Sequence, residues 1–212
     1  MTDASQPHSL QHRSAQHHDL DAARRPAGEE TDRSPARTLR IMTVCTGNIC
    51  RSPIAEVVLR DRLEAAGLAD RVVVDSSGVS SEEHGNPMDR RARAVLASAG
   101  YTDAALDQHV ARQVDAADLG ERDLLLPMTA AHAAALRRLA ERSGQPDSVG
   151  DIVMFRTFDP AAPATRGAQD EHPLDVEDPW YGDASDFDAC LAQVEAAVDG
   201  IVGWARVRLG EG

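Results

Sequence analysis

An apolar run at residues 39–44 passes directly into Cys45-Thr46-Gly47-Asn48-Ile49-Cys50-Arg51-Ser52-Pro53, and then into a stretch with apolar residues at helical spacing. No other feature restricts the fold as strongly. A buried strand that ends in a short glycine-containing loop and opens a helix is the unit of parallel sheets, whose neighbouring strands are joined only by crossovers. The helix is read over residues 53–66, with Ile54, Val58, Leu63 and Ala66 on one face, Pro53 in its first turn and Gly67 as its stop.

The rest of the chain repeats that unit. Further strands are read at residues 72–74, 123–126 and 152–155, and helices at 88–99, 115–119, from a Thr129 cap to about 142, and 185–209. The predicted class is α/β. On the last helix Phe187, Leu191, Val194, Val198, Ile201 and Trp204 share one face, a packing surface rather than a cofactor site. Residues 159–182 carry four prolines and no regular pattern, and so long a loop in a compact domain signals function. Residues 1–38 are poor in large apolar side chains and are expected to be a disordered tail, leaving the domain at 39–212. His8, His12, His17 and His18 in that tail are read as solvated polar groups rather than metal ligands.

Composition removes several classes of function. A net charge of -13 disfavours nucleic-acid backbones and anionic membrane surfaces as partners. All 22 basic side chains are arginine, which excludes Schiff-base catalysis, pyridoxal enzymes and the lysine-bearing nucleotide loop. Three cysteines, two of them flanking one short loop, do not make a disulfide framework and suit a reducing cytoplasm. No apolar run reaches the roughly 20 residues of a membrane span, and the N-terminus has no secretory pattern.

The cysteine loop carries chemistry. Backbone amides and the positive end of the following helix converge on its centre, a setting that binds anions and favours the thiolate of Cys45, the nucleophilic form. Arg51, six positions on, offers a planar fork for two phosphate oxygens, and Ser52 is placed to donate a hydrogen bond to the thiolate. Asn48 is expected to brace the loop through bonds from its side chain to the backbone. A thiolate cannot also protonate a leaving oxygen, so a separate acid is needed. Asp178, in Asp178-Pro179-Trp180-Tyr181-Gly182, is assigned that role, with Asp175 and Glu177 as solvated neighbours. Trp180 and Tyr181 either wall a slot for an aromatic group or pack the loop onto the domain.

At these residues the chain resembles the low-molecular-weight protein tyrosine phosphatases, over about residues 39–210. The matching segments are 44–53, then Asp75-Ser76-Ser77-Gly78 with Gly85-Asn86-Pro87-Met88-Asp89, then Arg156-Thr157-Phe158-Asp159-Pro160, and finally 174–187, which is most similar to actinobacterial members. The resemblance implies a three-layer sandwich, a four-stranded parallel sheet with helices on both faces. It also implies no metal or other cofactor, and a cysteinyl-phosphate mechanism on phosphotyrosine in proteins by a monomer. By position it implies Cys45 as nucleophile, Arg51 in phosphate binding, Asp178 as general acid, and Thr46, Gly47, Asn48, Ile49, Cys50 and Ser52 around the substrate. The family usually has an aromatic side chain on the pocket rim, where this chain has Glu82.

Alternatives within the fold are phosphoarginine or small aryl or acyl phosphates as substrates, and arsenate reduction. Ile49 favours tyrosine over arginine. A disulfide relay lacks cysteines, because Cys190 is expected to be an inert thiol on the packed face of the last helix. A further alternative is a redox-regulated phosphate-binding module without turnover, in which Cys50 forms a reversible disulfide with Cys45.

Overall fold

The strand that feeds the cysteine loop has two apolar faces, and that arrangement sets the layers. In the computed structural model, which describes residues 37–101, 105–144, 146 and 151–211, β1 spans Leu39–Cys45. Leu39, Ile41 and Cys45 enter one core cluster, while Met42 and Val44 enter a second on the opposite face. A strand buried on both sides needs helices above and below the sheet. β1 pairs in parallel with β2 (Val72–Gly78) on one side and with β3 (Leu124–Pro127) on the other, giving the order β2-β1-β3.

The first core is closed by α1 (Arg51–Ala65), α2 (Arg90–Ser98) and the long α6 (Ala184–Arg208), through Ile54, Val58, Leu63, Leu96, Phe187, Val194, Val198 and Ile201. After the short α3 (Ala105–Gln108), α4 (Ala116–Glu121) and α5 (Ala130–Arg142) close the second, with Leu119, Ala133, Leu136 and Ala140. Local signals set the helix ends. Gly67 follows α1 with φ of 73°, and the Thr129 hydroxyl caps α5 by accepting from the His132 amide.

The expected fourth strand is corrected: the sheet has three strands among the described residues. Ile152 makes a single parallel bridge to Leu125, and the Val153 amide bonds the Leu125 carbonyl at 3.0 Å. From Phe155 the chain closes into a 3-10 turn, Phe155–Phe158, with the Phe155 ring fully buried. That turn presses on α6, and a Cβ at Gly200 would lie 2.3 Å from the Phe158 carbonyl oxygen. Packing against α6 therefore takes over where pairing with a four-residue β3 would have to continue. β2, conversely, runs four residues past its apolar part, through Asp75, Ser76, Ser77 and Gly78. The tail expected at residues 1–38 lies, up to residue 36, outside the described residues, and so do the four tail histidines.

This extension of β2 positions the site. The Val79 and Ser80 amides donate to the Cys45 and Thr46 carbonyls at 2.9 and 3.0 Å, so the loop after β1 lies along the end of β2. A Cβ at Gly78 would stand 2.5 Å from the Thr46 carbonyl oxygen, and any side chain there has to displace the loop backbone. No helix among the described residues is long and apolar enough to cross a membrane.

Candidate active site

Cys45 is the last residue of β1, and its thiol faces back under the loop that follows. The Asn48 amide donates to Sγ at 3.3 Å, and the Ser52 hydroxyl lies 3.1 Å from it. The serine was expected there. Arg51 and Ser52 open α1, where the first amides have no intrahelical acceptor, and Cys50 at the cap position supplies no side-chain bond. These donors are free to hold an anion. Asn48 takes φ of 60°, the only non-glycine residue in the left-handed region among the described residues. Its side-chain amide donates to Ser52 Oγ at 3.0 Å and Ser76 Oγ at 2.8 Å, and its Oδ1 accepts from the Arg112 amide at 3.0 Å. The expected brace is present, although two of its three bonds go to serine hydroxyls.

Arg51 is 4% exposed, and its fork reaches across the loop mouth. Nη1 donates to the Val176 carbonyl at 3.2 Å, and Nη2 donates to Thr46 Oγ1 at 3.1 Å and to Asp178 Oδ2 at 2.6 Å. Guanidinium and carboxylate, distant in sequence, therefore meet over the cysteine loop. Asp178 also caps a short turn, Pro179–Tyr181, by accepting from the Trp180 amide at 3.2 Å.

The loop, the acid and the rim enclose a cavity of about 110 Å³. Cys45, Thr46, Gly47, Ile49, Cys50 and Arg51 form its base, and Asp178, Trp180, Tyr181 and Glu82, joined by Glu83, form its walls. Asn48 and Ser52 lie beneath it, both fully buried. Tyr181 is 89% exposed and Trp180 40%, so these rings edge the opening rather than fill the core. A larger cavity of about 520 Å³ runs between α1 and β2, beside Arg60, Asp61 and Tyr101, and contains none of these residues. Among the described residues, no three His, Cys, Asp or Glu side chains come together to hold a metal ion.

The other thiols are held protonated. Burial, reinforced by Asp89, Cys45 and Asp178, pushes the Cys50 thiol well above the ordinary range. Burial likewise pushes Cys190 up to about 12, as the inert reading of that residue requires.

A thiol with two hydrogen-bond donors, a buried guanidinium and a carboxyl group over one small anion-binding cavity can attack, hold and release a phosphoryl group. A family model described as low molecular weight phosphotyrosine protein phosphatase matches residues 40–209. The chain belongs to that phosphatase family. It is similar to a low molecular weight protein-tyrosine-phosphatase of Streptomyces coelicolor, with 42% identity over 169 residues that span 80% of this chain and 94% of that protein. Similarity to low molecular weight protein-tyrosine phosphatase A of Mycobacterium tuberculosis is 40% over 171 residues, 81% of this chain and 94% of that one. Among solved structures, a protein tyrosine phosphatase from Entamoeba histolytica superposes with a TM-score of 0.68 at 26% identity, covering 82% of this chain and 100% of that chain.

In this member of the phosphatase family, several groups at the site escaped the sequence reading. His132 Nε2 and Thr46 Oγ1 share a hydrogen bond of 2.9 Å, and His109 Nε2 lies 2.7 Å from the Asn48 carbonyl oxygen. Asp175, read as a solvated loop carboxylate, accepts from the Ala130 amide at 2.7 Å and ties the loop that carries Asp178 to α5. The only available signal was position: His132 stands in the first turn after β3, at the carboxyl edge of the sheet where α/β sites gather.

Burial, with Arg51 nearby, lowers His132 from 6.5 to about 4, so the folded protein holds it neutral. Between pH about 6.5 and about 4 the unfolded chain binds the proton that the folded one refuses. The contribution of neutral His132 is therefore complete above that window and is lost as pH falls through it. Urea unfolding of the parent and His132→Gln across this range is expected to show the smaller loss in the variant. Equal losses contradict the assignment.

Proposed function

We propose that this phosphatase hydrolyses phosphotyrosine in proteins through a phosphoenzyme on Cys45. The observation that carries the reading is the meeting of Cys45, Arg51 and Asp178 at one cavity, with Ser52 Oγ 3.1 Å from the sulfur. Cys45 Sγ attacks phosphorus, and an S–P bond forms as the P–O bond to tyrosine breaks. Asp178 gives its proton to the departing phenolate oxygen. Water then attacks phosphorus and passes a proton to Asp178, the S–P bond breaks, and the hydrogen bond from Ser52 stabilises the thiolate that leaves.

Arg51 binds two of the phosphoryl oxygens, with the loop amides holding the others. The same guanidinium pairs with Asp178 at 2.6 Å. A phosphate dianion competes for that partner, and its arrival releases the carboxylate, which takes a proton from solvent and carries it to the leaving oxygen. All of these groups come from one chain, so a monomer is sufficient. A thiolate nucleophile must stay reduced, which suits the cytoplasm.

Substrate choice rests on the rim. Trp180, Tyr181, Glu82 and Glu83 all line the opening, and the two glutamates favour basic residues beside the phosphotyrosine over acidic ones. Cys50 is assigned a protective role: when peroxide converts Cys45 to a sulfenic acid, the Cys50 thiol condenses with it, slowly because burial holds that thiol protonated, water leaves, and the resulting disulfide is returned to two thiols by an external thiol reductant.

Turnover of phosphotyrosine, phosphoserine, phosphoarginine and aryl phosphates tests the assignment. Cys45→Ser is expected to lose at least about a thousandfold in kcat, and Asp178→Asn about 10²- to 10⁴-fold on phosphotyrosine. Undiminished turnover by Cys45→Ser excludes the mechanism, and a preference for phosphoarginine excludes the substrate. On matched phosphotyrosyl peptides, Glu82→Gln is expected to narrow the preference for flanking arginine over aspartate, and an unchanged ratio removes Glu82 from recognition. After peroxide treatment, a thiol reductant is expected to restore less activity in Cys50→Ala than in the parent; equal recovery rules out protection.

A further inference from the structure

The acid is carried by a segment with little regular structure, yet general-acid transfer requires it to be held to a fraction of an ångström. Asp178 opens a turn of three residues, Pro179–Tyr181, between an irregular stretch and α6. Its bond to Arg51 cannot be what holds it during catalysis, because the phosphoryl group takes that guanidinium. A second tie must persist when the first is given up.

Arg91, in the first turn of α2, makes that tie. Its Nη1 donates to the Trp180 carbonyl and the Gly182 carbonyl, both at 3.2 Å, so one nitrogen spans the turn that follows Asp178. The guanidinium lies 5.4 Å from the centre of the Trp180 ring and 4.7 Å from that of Phe187 on α6. The other side of the fork is fixed by Asp89, with Nε to Oδ1 and Nη2 to Oδ2 both at 3.2 Å. Asp89 in turn donates its backbone amide to the Ile49 carbonyl in the cysteine loop at 2.9 Å. A continuous path of bonds therefore runs from the phosphate-binding loop through Asp89 and Arg91 to the turn that carries the acid.

We propose that Arg91 is a positioning residue that registers Asp178 against the phosphoryl group on Cys45. This rests on the reading of Asp178 as the general acid. Arg91 lines neither the base nor the walls of the cavity, and it acts through the two carbonyls and the ring it holds. A lysine cannot replace it, because an ammonium group has no planar fork to bridge Asp89 and the turn while lying on two rings.

The role predicts a loss that depends on the leaving group. A phenoxide of high basicity needs the proton from Asp178, whereas 2,4-dinitrophenoxide leaves without it. For Arg91→Ala, kcat/KM on phenyl phosphate is expected to fall on the order of tenfold, while kcat/KM on 2,4-dinitrophenyl phosphate changes less than about twofold. In an Asp178→Asn background the same substitution is expected to add no further selective loss, because the group it positions is gone. If Arg91→Ala does not fold, Arg91→Lys carries the same comparison. No loss on either substrate, equal losses on both, or losses that multiply with those of Asp178→Asn overturn the proposal. A lack of selective loss in Asp178→Asn itself overturns the acid assignment and this proposal together. The Asp178→Asn arm thus distinguishes failure of the acid assignment from failure of the Arg91 role alone.

Discussion

A left-handed backbone at a residue with a side chain costs about 1–2 kcal/mol, and Asn48 adopts one, φ 60°, in the middle of the cysteine loop. The rest of the site depends on that turn being held. The bonds to Ser52, Ser76 and the Arg112 amide fix the side chain, and His109 fixes the carbonyl. With the turn in place, the Asn48 amide faces Cys45 Sγ. The amide group of Asn48 also occupies an acceptor site on the Ser52 hydroxyl, and the single proton of that hydroxyl is left to point toward Cys45 Sγ at 3.1 Å or the Ser77 carbonyl at 3.2 Å. The thiol environment is thus a consequence of backbone geometry several bonds away.

Behind the loop the same Arg112 enters an ionic network. Its guanidinium bonds Asp118 at 2.8 Å and Asp75 at 3.0 Å, and Arg122 bonds Asp75 at 2.6 Å. Burial works to raise the Asp118 carboxyl, and the hydrogen bonds from Arg112 and the Asp115 amide, with the charges of Arg112 and Arg122, together more than reverse it, leaving the group below the usual carboxylate range. Paired, part-buried charges of this kind fix position more than they add stability. Here they fix the backbone whose amide reaches Asn48. On the opposite side, α2 provides the anchor for the acid-bearing turn. The chain thus uses elements from both sides of the loop to hold groups that lie far apart in sequence.

Much of this was legible in the residues themselves. The apolar run, the cysteine loop and the helix after it were read from spacing, and the structure places Ser52 3.1 Å from Cys45 Sγ and Arg51 and Asp178 at the same cavity. Two features were not legible, for physical reasons. Residues 152–155 have strand composition, but a single bridge to β3 and the close packing of Phe158 on Gly200 decide their conformation, and both are tertiary facts. Asp75, Ser76 and Ser77 lack strand character, yet they continue β2 because the loop backbone needs partners there. His132, Asp175 and Arg91 gave no signal of their own, since their roles come from what lies across the fold.

The proposed mechanism turns on phosphate passing through Cys45. Quenching the protein during steady turnover of an aryl phosphate, followed by peptide mapping at a pH that preserves thiophosphate esters, tests this most directly. A phosphoryl group is expected on Cys45, accumulating further in Asp178→Asn when the aryl phosphate has a leaving group that needs no proton. Phosphate on another side chain, or turnover with no phosphorylated protein at any stage, contradicts it.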